Sequence, residues 1–169
     1  MTEEQTIEVA DNRPQTVAEL LERINKERGA LEQLISGMSD DELIAPSGGW
    51  TAQVHLAHVA AWERRLIGEL RGDQVAARFG LDESDYEAAN TDDLNAMLLA
   101  RFQNESPAAS RAEFLAAGEA VRAAIAELSD ADLSQPRPGD EEDETVLDMI
   151  SWDTYRHYPE HTAAVANHT

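Results

Sequence analysis

The chain has 169 residues, no cysteine and a formal charge of −21, with thirteen Lys and Arg against thirty-four Asp and Glu. The lack of cysteine excludes disulfides, thiolate metal sites and a cysteine nucleophile, so any metal ion would rest on nitrogen and oxygen ligands. The acidity argues against nucleic acid and anionic membrane surfaces, which are bound through clustered Lys and Arg, and reads instead as a solvated surface that aids solubility.

The N-terminus Met1-Thr2-Glu3-Glu4 lacks the basic region and apolar run of a signal peptide. No stretch approaches the roughly 18 consecutive apolar residues of a membrane span. These features predict a cytoplasmic protein. Residues 1–14 carry few large apolar side chains and read as a flexible acidic tail, leaving 15–169 as a single domain.

Thr16-Val17-Ala18-Glu19 is a capping-box pattern that opens a first long helix, with Val17, Leu20, Leu21, Ile24, Leu31, Leu34, Ile35 and Met38 on one stripe. Pro46 to Gly49 breaks the chain, and Thr51 caps a second helix whose apolar arc runs through Val54, Val59, Trp62, Leu66 and Leu70 to a stop near Gly72. Residues 73–105 are too long for a simple hairpin. They predict a crossover over one end of a bundle, containing a short helix over 91–102.

Ser106-Pro107 starts a third helix, with Ser110 to Glu113 as a further possible box, and Thr145-Val146-Leu147-Asp148 caps the fourth. The runs Gly37 to Leu43 and Glu127 to Leu133 echo one another ninety residues apart, each closing a long helix. Strand patterns are absent. The prediction is an all-α four-helix bundle made of two related helix pairs.

Five histidines are present. His157 and His161 stand four apart, and on one wheel from Val146 to Ala164 they share a seam with Ile150 and Asp153. Buried polar groups need partners, and metal sites in bundles are built from inward side chains on facing helices. The second helix offers His55 and His58, both on or beside its apolar arc, and spacing does not choose between them. His168 lies in the C-terminal residues and is set aside.

Three neutral imidazoles with an open position suit zinc, nickel or ferrous iron. Asp153, Glu160 and Glu63 are the acids available as supporting partners, extra ligands or a base. Trp62, Tyr155 and Tyr158 are candidates to line a pocket, although core packing explains Trp62 equally. Trp50 reads as a packing staple at its helix start. Pro159 should kink the last helix by removing a donor to the Tyr155 carbonyl. The competing reading of each histidine is a hydrogen-bonded core residue.

Gly49-Trp50-Thr51, the run His55-Leu56-Ala57-His58-Val59-Ala60-Ala61-Trp62-Glu63 and the run Thr154 to His161 together resemble the DinB/YfiT-like superfamily, most of all its ClbS/DfsB branch. The likeness spans about Thr16 to Val165. It implies a four-helix bundle, often a homodimer, with a metal triad of His58, His157 and His161. His55 falls where that branch has another residue type, which implies packing or a supporting position. The resemblance also implies a choice of activities on small molecules. One is a metal-dependent hydrolase or a transferase using a low-molecular-weight thiol, with Asp153 or Glu160 assisting. Another is metal-independent ring opening or sequestration of the ClbS kind. The third is a non-catalytic, stress-related dimer.

Overall fold

Side-chain hydroxyls placed just ahead of apolar repeats start each arm of the bundle. In the computed structural model, which describes residues 12–46, 48–139 and 143–167, Thr16 caps α1 (Val17–Ser36) and Thr51 caps α3 (Ala52–Arg71). Ser106 caps α7 (Pro107–Ala126) and Thr145 caps α8 (Val146–Asp153). The Thr16 hydroxyl accepts from the Glu19 amide at 3.2 Å while the Glu19 carboxylate accepts from the Thr16 amide at 3.3 Å. Each such cap contributes about 1 kcal/mol. Ser110 is no cap: it lies fully buried inside α7. Most of the expected tail (1–11) and His168 lie outside the described residues.

The chain is all-α, and among the described residues it has no strand, only an isolated bridge between Pro136 and Thr145. The echoed runs fold alike. Ser39 opens the single turn α2 (Asp40–Leu43) and Ser129 opens a 3-10 turn, Asp130–Ser134, with Leu43 and Leu133 buried in each.

α1 and α3 stand diagonally, each packed against α7 and against α9 (Tyr158–Ala166). The apolar stripe of α1 has a gap between Ile24 and Leu31, which the structure fills with Arg28, fully buried. Its guanidinium crosses the centre to Glu63 at 2.7 and 3.2 Å, and also donates to the Phe114 carbonyl and to Glu32. The Tyr158 hydroxyl donates to the same Glu63 carboxylate at 2.8 Å. Gly118 makes this possible, because a Cβ there would collide with the guanidinium. Buried charges persist only when paired and hydrogen-bonded, and here four helices supply the partners.

Gly72, at φ 65°, stops α3 in the left-handed conformation that glycine adopts freely. The crossover then forms α4 (Val75–Phe79), α5 (Glu83–Ala88) and α6 (Thr91–Phe102). It packs along α3 rather than merely covering an end, enclosing Ala57, Ala61 and Trp62 with Phe79, Leu94, Leu98 and Phe102.

The fourth arm departs from the sequence expectation. A single wheel from Val146 to Ala164 assumes one helix, but the chain breaks at Thr154 (φ −129°, ψ −110°) and restarts at Tyr158. The Arg156 amide reaches back five residues to the Ser151 carbonyl at 3.1 Å, and the His157 and Tyr158 amides both donate to the Thr154 carbonyl. Pro159 therefore sits in the first turn of α9, where its missing N–H leaves nothing unpaired, instead of kinking a continuous helix. In a continuous helix its ring would also have met the carbonyl four residues back, that of Tyr155, a clash that the break avoids.

Candidate metal centre

α3 and the start of α9 aim imidazoles at one another. His58 Nε2 lies 3.2 Å from His157 Nε2, which lies 2.8 Å from His161 Nε2. One ring nitrogen from each of the three lies within 4.8 Å of the others. His58 and His161 are only 4% and 6% exposed, so no solvent shell can hold a charge on either. Burial, then His157 and His55, lowers His58 to about 3, and burial lowers His157 to about 4. His161 is driven down further, by burial first and then by its three neighbours. All three are neutral at physiological pH, so each ring keeps one nitrogen lone pair.

This donor set fits a divalent ion. Nitrogens about 2.1 Å from a shared tetrahedral ion stand about 3.4 Å apart, so the His58–His157 and His157–His161 separations of 3.2 and 2.8 Å fall about 0.2 and about 0.6 Å short of that spacing. The His58 and His157 Nδ1 atoms are buried without a partner among the described residues.

A family model described as the DinB superfamily matches residues 23–163. The chain belongs to that superfamily. Solved structures share its fold at low identity. A crystal structure of a Streptococcus pneumoniae protein has a TM-score of 0.73 at 16% identity, covering 89% of this chain and 88% of the other. An uncharacterised protein from Escherichia coli UTI89 scores 0.69 at 17%, covering 91% and 92%. The colibactin self-resistance protein ClbS, in complex with a dsDNA, scores 0.69 at 14%, covering 90% and 94%. No curated protein matches the sequence.

In this DinB-superfamily chain His58 and His157 face a cavity of about 340 Å³, whose walls include Trp62, Asn95, Trp152 and Asp153. The Trp62 indole donates to Asn95 Oδ1 at 3.2 Å. Asp153 ends α8 and accepts from Arg65 Nη1 at 2.9 Å through Oδ2. Burial raises its carboxyl to about 7, against the opposing pull of Arg65. Arg65 is also tied to the Tyr86 hydroxyl at 2.7 Å and to Glu69.

Other expected site residues are elsewhere. Glu160 is on the exposed face of α9 and makes no hydrogen bond or ion pair among the described residues. Tyr155 packs in the main core under the Arg23 guanidinium, and Tyr158 turns inward to Glu63. Glu63 is thus occupied by Arg28 and Tyr158. Trp50, expected to staple the helix start, has its ring 5.4 Å from that of His55 and 5.0 Å from that of His58.

Sequence reasoning missed Arg65, Asn95 and Trp152. Asn95 comes from the crossover, whose placement no local pattern reveals. Trp152 carried a signal, since it falls outside the apolar arc of its helix and is 54% exposed.

Proposed function

We propose that His58, His157 and His161 hold a divalent metal ion, zinc, nickel or iron, and that the protein is a metal-dependent hydrolase or thiol S-transferase acting on small electrophilic molecules. The observation that carries this reading is the convergence of three neutral imidazoles, two of which, His58 and His157, line a cavity. A divalent ion on three uncharged ligands supplies Lewis acidity, which activates water or a low-molecular-weight thiol near neutral pH.

The chain's own residues do the rest. Trp62 and Trp152 offer apolar walls for the body of a small molecule, and the Asn95 amide nitrogen remains to donate a hydrogen bond, since its oxygen already accepts from Trp62. Asp153, raised to about 7, takes up or returns a proton near physiological pH, and Arg65 fixes its orientation through one oxygen. In this reading proton handling falls to Asp153 rather than Glu160.

Metal analysis of protein purified without a nickel column tests the proposal. The expected result is about one ion per chain, lost on dialysis against chelator and strongly depleted in His58→Ala. Full occupancy in that variant sinks the ligand assignment. A second reading, metal-independent ring opening or sequestration, draws on the fold shared with ClbS. It predicts small-molecule binding that persists in chelator-treated protein.

A further inference from the structure

His55 stands one turn before His58 on α3, and its Nδ1 lies 2.8 Å from Nδ1 of His161. The geometry points to His55 as a positioning residue that fixes the tautomer of His161, so that the lone pair of His161 Nε2 faces the other two imidazoles. This inference rests on the metal-site reading, but concerns a proton that is present with or without an ion.

A neutral imidazole has one N–H and one lone pair, and the partner of one nitrogen decides the state of the other. Two assignments satisfy the contact. If His55 Nδ1 donated, His161 would carry its proton on Nε2, aimed at His157 Nε2 only 2.8 Å away. That form cannot ligate through Nε2. If His161 Nδ1 donates and His55 accepts, the Nε2 lone pair is exposed to the cluster. Only the second arrangement is competent for metal, and it requires His55 to carry its own proton on Nε2.

The position is asymmetric. His161 lies behind the cavity that His58 and His157 line, and among the described residues it is the one member of the triad whose Nδ1 has a partner. Metal-bound histidines commonly donate their second nitrogen to a carboxylate or carbonyl. Here the acceptor is another imidazole, which orients the ring without adding negative charge. An ion held by the three rings would then keep its charge unneutralised by this partner. Trp50, packed against both His55 and His58, holds the supporting ring in place.

Two measurements test the proposal. Long-range ¹H–¹⁵N spectra of metal-free protein at neutral pH should show His161 protonated at Nδ1 in the wild type, and a shift toward the Nε2-protonated form in His55→Ala. Cobalt(II) titration should show binding weakened about 10- to 100-fold in His55→Ala with an unchanged circular dichroism spectrum. His55→Gln, whose side-chain carbonyl can accept the same proton, should recover most of that loss. His161 found protonated at Nε2 in the wild type overturns the proposal, as does wild-type cobalt affinity in His55→Ala. A wild type that binds no cobalt but carries the Nδ1 proton on His161 overturns the metal reading and supports the role of His55.

Discussion

Three imidazoles that stay neutral inside the fold make the metal-free protein sensitive to acid. An unfolded histidine binds a proton below about 6.5, whereas folded His58 and His157 wait until about 3 and about 4. Between those values the unfolded chain holds more protons, so stability is full above about pH 6.5 and falls on acidification, by about 1.4 kcal/mol per pH unit for each such histidine. Two buried carboxyls run the other way: Asp153, raised to about 7, and Glu63, raised by burial against the pull of Arg28, lose stability as pH rises and offset part of that fall. Urea midpoints of the metal-free protein should therefore fall from pH 7 to pH 4.5, and His58→Gln should lessen the slope. An identical slope in that variant would exclude His58 as a source. The residue types of this cluster were legible in the sequence, but their layering was not. His55 and His58 share an apolar arc, and only the approach of α9 separates the cavity-facing ring from the supporting one. Glu63 looked like a site acid because nothing local reveals that Arg28, thirty-five positions away, claims it.

Helix starts were legible to the residue at Thr16, Thr51, Ser106 and Thr145, because a hydroxyl cap acts within one turn. The break at Thr154 was not, because it depends on where Tyr158 and His157 must point. Proline in a first turn leaves no carbonyl unserved, so Pro159→Ala should cost only about 0.4–1 kcal/mol through unfolded-state freedom. At about 2–4 °C per kcal/mol for a chain of this size, the melting temperature should drop by a few degrees at most, with metal uptake retained. Loss of metal uptake in that variant would mean that the proline itself holds the two helices apart, contrary to the backbone geometry at Thr154.

At the scale of the molecule, charge governs encounters. The fold is shared with ClbS, whose crystal structure contains a dsDNA, yet this chain carries a formal charge of −21. Most of its arginines are already in ion pairs, among them Arg64 with Glu113, Arg78 with Asp73 and Arg137 with Glu69. Fluorescence anisotropy with a short DNA duplex should show no binding at tens of micromolar protein, even at low salt, where phosphate contacts are strongest. Binding that weakens steeply with added salt would overturn this expectation. Among the described residues no helix is long and apolar enough to cross a membrane.

The break at Thr154 has a further consequence for the C-terminal segment. α9 has nine residues, fewer than the roughly 12–15 a helix needs to persist alone in water. Its register is set by Tyr158 at the Arg28 and Glu63 pair, and by two imidazoles facing a third that lies ninety-nine positions earlier in the chain. An ion held there would act as a detachable cross-link. The long loop it closes would remove freedom from the unfolded chain, in the manner of a disulfide, in a protein that has no cysteine. Chelation would then release the chain from its C-terminal end inward.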